Sequence, residues 1–82
     1  MEKRELTDVE VCVLFGERVK AARTLRGWSQ HSLSYASRVS QKEISQYENG
    51  KRRASIVSTR KLCLALEVSA DSLLGLDREP RR

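Results

Sequence analysis

The stretch SQHSLSYASRVSQKEISQYENGKRR, Ser29 to Arg53, holds two short helical patterns with almost nothing between them. Ser29 is a helix-starting residue. Its side chain can accept a hydrogen bond from one of the backbone N–H groups that a first helical turn leaves without a partner. About eight residues follow, with Leu33 turned inward. Ser40 repeats the starting signal. Asn49-Gly50 then ends the second pattern, because these residues enter the left-handed conformation at little steric cost. On a wheel at ~100° per residue, Gln41, Lys42, Ser45 and Gln46 share one sector of roughly 140°. Ile44 and Tyr47 point the opposite way, toward a core.

Outward from this centre the punctuation stays helical. Thr7 or Asp8 caps a first helix, with Glu10 in its first turn. Val11, Phe15, Val19 and Ala22 recur at spacings of four, four and three, giving an apolar stripe, and Gly27 stops the helix. Ser55 caps a fourth helix whose inner side is Ile56, Leu62, Cys63 and Leu66. Ser69 opens a short fifth with Leu73 and Leu74. No apolar/polar alternation bounded by hairpin turns occurs, so strands are not expected. The sequence predicts an all-α fold, a five-helix bundle whose second and third helices have helix-turn-helix spacing. Residues 1–8 form an N-terminal segment, 9–76 the domain, and 77–82 a tail without apolar content that is expected to be disordered.

Eighty-two residues make one domain with a modest core, which leaves oligomerisation open. No run of 18 apolar residues exists, so no membrane partner is expected. The N-terminus lacks an apolar signal core. Cys12 and Cys63 stand alone, without the clustering of a metal or disulfide framework, which fits a reduced, cytoplasmic protein. His31 is likewise alone. No acid, cysteine and histidine combination has catalytic or ligand spacing, so neither an enzyme nor a metal site is expected. Nor does any feature call for a cofactor or a small-molecule ligand.

The net charge of +5 is unevenly spread. Arg18 to Lys61 holds eleven bases and two acids, whereas the flanks hold five bases and nine acids. A basic middle between acidic ends suggests a polyanion bound on one side. The polar sector of the third helix offers what base edges need. Glutamine can donate and accept at once, matching adenine N6 and N7, and lysine donates to guanine O6 and N7. A Gln/Lys/Ser face is also an ordinary solvated face. The neighbours tip the balance: Lys51, Arg52 and Arg53 follow directly, and Ser29 and Gln30 start the preceding helix, where free N–H groups favour an anion.

The residues Phe15-Gly16-Glu17-Arg18-Val19, Arg23, Gly27, Ser29-Gln30, Leu33, Val39-Ser40, Ile44-Ser45, Tyr47-Glu48-Asn49-Gly50-Lys51-Arg52, Leu66 and Val68-Ser69 resemble the Cro/phage-repressor (XRE) type of helix-turn-helix protein. The resemblance covers about sixty residues, from Phe15 to Leu74. It implies a lambda-repressor-like DNA-binding domain: a transcriptional regulator acting as a homodimer on a two-fold operator in double-stranded DNA. By matched positions, Gln41, Lys42, Ser45 and Gln46 would face base pairs. Ser29, Gln30, Asn49, Lys51, Arg52 and Arg53 would hold the phosphate backbone. Arg23 and Glu48 match an ion pair between the first and third helices. Small relatives of this kind include restriction–modification controllers. The alternative on the same fold is a protein-binding adaptor, antitoxin- or anti-repressor-like.

Departures from the pattern matter, among them Ser34 where alanine is usual and Ala54 where proline is frequent. Arg38 stands in the turn where glycine is usual, and Glu67 stands where glycine often closes the fourth helix. Val57 and Leu64 fall outside that helix's inner side, at positions usually polar. With Leu76 they are expected to form an apolar dimer interface, unless the segment around Leu6, Val9 and Val13 folds back over them.

Overall fold

A hydroxyl side chain starts each helix among the described residues. In the computed structural model, which describes residues 5–77, the helices are α1 (Asp8–Leu25), α2 (Gln30–Ser37), α3 (Gln41–Glu48), α4 (Ile56–Leu66) and α5 (Ala70–Leu74). Thr7, Ser29, Ser40, Ser55 and Ser69 each sit in extended conformation just before a helix. Each accepts a hydrogen bond from the backbone N–H three residues on. Thr7 adds the reciprocal half of a capping box, its own N–H donating to Glu10 Oε1 at 2.9 Å. No strand occurs among the described residues. Residues 1–4 of the N-terminal segment and residues 78–82 of the expected disordered tail lie outside them.

The helix ends are equally local. Gly27 at φ +74° and Gly50 at φ +69° close α1 and α3 in the left-handed region. Backbone bonds from Trp28 N–H to the Arg23 carbonyl and from Lys51 N–H to the Gln46 carbonyl seal these turns. Arg38 and Glu67 adopt the same conformation, at φ 65° and 58°, although a Cβ is disfavoured there. The backbone geometry that glycine usually serves is kept, and the strain is accepted.

The core is one cluster: Phe15 and Val19 of α1, Leu33 of α2, Val39 of the turn, Ile44 and Tyr47 of α3, Leu62 and Leu66 of α4, and Leu73 of α5. Phe15 and Tyr47 meet edge to face, their ring centroids 5.6 Å apart. Gly16 lets α1 approach α3 closely, because a Cβ there would fall on the Tyr47 carbonyl oxygen. Trp28 packs against the cluster from outside, with the Arg26 guanidinium 4.9 Å above its ring.

Three apolar residues expected inside lie at or beyond the edge. Val11 and Leu74 are partly in solvent, and Ile56 is 87% exposed. The cause at Ile56 is helix phase. Leu62 and Leu66 set the inner line of α4, and four residues back that line meets Ser58, which is buried. Ile56, two positions earlier, is rotated about 160° away from it.

Candidate nucleic-acid interface

α3 is held from behind by both apolar and charged contacts. Ile44 and Tyr47 anchor its inner side in the core. One position further on, Glu48 meets Arg23 of α1 in a two-pronged pair, Nε to Oε2 at 2.7 Å and Nη2 to Oε1 at 2.9 Å. The third guanidinium nitrogen donates to the Trp28 carbonyl at 2.8 Å, and Gln30 Nε2 donates to Glu48 Oε1 at 3.0 Å. The two charged side chains are only 11% and 4% exposed. Burial alone pushes the Glu48 carboxyl up. The hydrogen bonds from Arg23 and Gln30, with the charges of Arg23 and Lys20, outweigh it and hold the group below the usual carboxylate range. Arg23 is raised, chiefly by its hydrogen bond to Glu48. Both partners are therefore charged, and the pair joins α1, the α1–α2 turn, α2 and α3 at one point.

This clamp leaves the opposite side of α3 open. Gln41 and Lys42 are exposed, while Ser45 and Gln46 are half-buried. Among the described residues neither Lys42 nor Lys51 has an ion-pair partner. Asn49 caps the C-terminus of α3 and is exposed. Ser29 is committed to capping, accepting from the Ser32 N–H at 3.0 Å. The side-chain amide nitrogen of Gln30 is turned inward onto Glu48 rather than outward.

The other two bases of the loop have protein partners. Arg53 forms a 3.0 Å pair with Asp8, at the start of α1, and both side chains are largely in solvent. Arg52 folds back onto α3, with Nη1 donating to Gln46 Oε1 at 2.9 Å and Nη2 lying 3.4 Å from Glu43 Oε2. Glu43 carried no role in the sequence reading. Its signal is its spacing: Glu43 and Gln46 stand three apart, so one donor can reach both. Val57, Leu64 and Leu76 are all exposed. Leu6 and Val13 do not cover them; they line a separate groove with Glu10, Leu14 and Glu17.

Among the described residues no group of three metal-ligating side chains occurs, and no helix is long and apolar enough to cross a membrane. What the surface offers is a short rigid helix with amide, hydroxyl and ammonium groups outward, beside further cations.

Comparison with known proteins places this arrangement. Residues 19–73 match the Helix-turn-helix family model HTH_3. A Bacillus subtilis protein described as an SPbeta prophage-derived uncharacterized HTH-type transcriptional regulator, YonR, is 36% identical over 61 residues. That match takes in 74% of this chain and 56% of the relative, so the chain spans little more than half that relative's length. Among solved structures, the restriction-modification controller protein C.AhdI from Aeromonas hydrophila superposes with a TM-score of 0.72 at 34% identity, over 76% of this chain and 94% of that one. An HTH_3 family transcriptional regulator from Vibrio cholerae gives a TM-score of 0.79 at 27% identity, over 87% of this chain and 40% of its own. The hypothetical transcription factor NHTF from Neisseria gives 0.75 at 20% identity, over 90% and 85% of the two chains, which is a likeness of fold.

Proposed function

The chain belongs to the Cro/C1-type (XRE) helix-turn-helix family of DNA-binding transcriptional regulators, and from that membership we infer that it binds a two-fold operator in double-stranded DNA as a homodimer. The observation that carries this reading is the outer sector of α3. Gln41, Lys42, Ser45 and Gln46 lie on one side of a helix whose other side is fixed by Ile44, Tyr47 and the Arg23–Glu48 pair. A major groove about 12 Å wide admits such a helix, and each base pair there presents a distinct set of donors and acceptors. Lys51 and other exposed cations of the basic middle supply the sequence-independent part of the affinity, and Gln41, Lys42, Ser45 and Gln46 supply the preference.

Two copies place two α3 helices on successive turns of one DNA face, with half-sites about 34 Å apart. The likeness to C.AhdI over nearly all of that chain supports one subtype among such regulators, the control of a restriction–modification system.

Selection of binding sites from random duplex DNA tests the reading. The wild type enriches an inverted repeat. Gln41→Ala changes the preferred base at one symmetric pair of positions, by about 1–3 kcal/mol per lost base contact. Discrimination untouched by Gln41→Ala removes this residue from the reading set. A wild type that enriches nothing removes the function.

A further inference from the structure

Arg52 stands where the family resemblance gives a phosphate contact, yet its guanidinium is folded against the reading helix. We propose that Arg52 is a positioning residue that decides which face of the Gln46 amide reads DNA, so that Gln46 recognises an acceptor edge, guanine O6 and N7, rather than adenine. The proposal rests on the operator reading above and deepens it.

The chemistry follows from the inventory of donors. A guanidinium has five N–H donors and no acceptor, so whatever it bonds must present a lone pair. Only the carbonyl oxygen of the Gln46 amide can do that, which fixes the amide's orientation: Oε1 turns to Arg52 Nη1, at 2.9 Å, and the NH2 group turns away. The guanidinium cannot easily follow the amide elsewhere. Its other arm lies 3.4 Å from the carboxylate of Glu43, one turn earlier on the same helix. The Lys51 N–H donates to the Gln46 carbonyl, which holds the start of the exit loop against the end of α3. Arg52 thus spans Glu43 and Gln46 from a loop closed onto the same helix.

A free glutamine reads adenine with both ends of its amide, accepting from N6 and donating to N7. In Gln46 the accepting end already serves Arg52. Its second lone pair lies beside a positive charge, where the N6 amino group of adenine, itself a donor, is unwelcome. The group left over is an NH2 with a cation behind it, suited to a base edge that carries only acceptors. Guanine offers two adjacent ones in the major groove. Gln41 is exposed and has no such partner among the described residues, so it keeps both ends of its amide for adenine. Two glutamines on one helix face therefore read different bases.

The test is binding-site selection with the full chain, comparing wild type, Gln46→Ala, Arg52→Ala, Arg52→Lys and the double variant Gln46→Ala/Arg52→Ala. Arg52 is about half exposed, and a melting curve for each variant confirms folding. Gln46→Ala identifies the base pair read by Gln46 as the position whose preference flattens. There the wild type is expected to prefer guanine to adenine by at least about fivefold, the lower end of one good base contact. Arg52→Ala and Arg52→Lys both shift that position toward adenine, although lysine keeps the charge, and neither changes it once Gln46 is alanine. A phosphate grip predicts something else: Arg52→Ala weakens all sequences alike, and Arg52→Lys restores them. That outcome, or a wild type that prefers adenine at the position, overturns the proposal while leaving the operator reading intact. A wild type that enriches no sequence overturns the operator reading and this proposal together.

Discussion

The inner side of α3 and the outer side of α4 invert the usual partition of side chains between core and solvent. On α3, a carboxylate and a guanidinium from α1 lie buried together beside Ile44 and Tyr47. On α4, Ile56, Val57 and Leu64 stand in water with Arg60 and Lys61 among them. Neither arrangement is the cheapest way to fold a small domain. A buried ion pair rarely stabilises more than well-packed apolar side chains of the same volume would, and exposed aliphatic groups gain nothing from burial. Each departure has a geometric use. The charged pair fixes the rotation and height of α3 more sharply than interchangeable apolar contacts do. For the apolar stripe we propose contact with a second copy of the chain.

The difference can be broken most forcefully at Glu48. Glu48→Gln keeps the shape and removes the charge, leaving Arg23 buried with only carbonyl partners. Halving a buried pair costs about 3–5 kcal/mol, and the isosteric amide should fall at the lower end, read from urea denaturation. The pH dependence carries the sign. The folded-state carboxyl lies below its ordinary value, so its contribution is fully present above the unfolded-state value near ~4.3 and is lost as pH falls through the lower folded one. Wild type should therefore lose stability across that acid window, and Glu48→Gln should lose less. Parallel acid losses in the two proteins would mean that the pair does not hold α3.

The next effect is smaller and lies in the turn that feeds α3. Arg38 is left-handed at φ 65° and ψ 22°, a conformation that costs a residue with a Cβ roughly 1 kcal/mol. Arg38→Gly should raise stability by up to about that amount. In a domain of this size the shift corresponds to a melting temperature higher by about 4–8 °C. A melting temperature that falls would show the arginine side chain to be holding the turn.

This turn also marks the limit of what the sequence discloses. The helix starts were legible because a capping serine and the N–H it serves are three residues apart, and the chemistry is complete within that span. Five helices and the helix-turn-helix followed from such local signals. Arg38 showed where the turn lies but not whether the chain would accept left-handed strain there; that depends on how firmly Val39 and Leu33, on either side, are seated in the core. Ile56 was misplaced because the phase of α4 is set by Leu62 and Leu66, and a two-residue error in phase moves a side chain to the opposite face. The partners of Arg52 and Arg53 were hidden for another reason: long side chains on a loop choose among acceptors that only the folded shape brings near. The candidate site was therefore legible only as a set of positions sharing the outer side of one helix. Which hydrogen-bonding ends those positions leave free was not.

The smallest expected effect on stability, and the sharpest on assembly, is at Leu64. It is 61% exposed, and Val57 is 63% exposed. Beside them runs an apolar groove lined by Ile56, Arg60 and Cys63 of α4 and by Ala70 and Leu74 of α5. In the isolated chain a charge at position 64 would stay in solvent, so Leu64→Asp should change the unfolding free energy by no more than about 0.5 kcal/mol. In a two-fold dimer built on α4 and α5 the same patch faces its own copy, so each substitution enters the interface twice. Two carboxylates would then lie in an apolar contact, and desolvating them would cost more than the contact returns. Analytical ultracentrifugation should find the wild type dimeric and Leu64→Asp monomeric, with matching melting curves at low concentration. Because a monomer presents one α3 instead of two, its affinity for a full inverted repeat should fall to that for a half-site. A variant that stays dimeric would move the interface away from Leu64 and Val57 of α4.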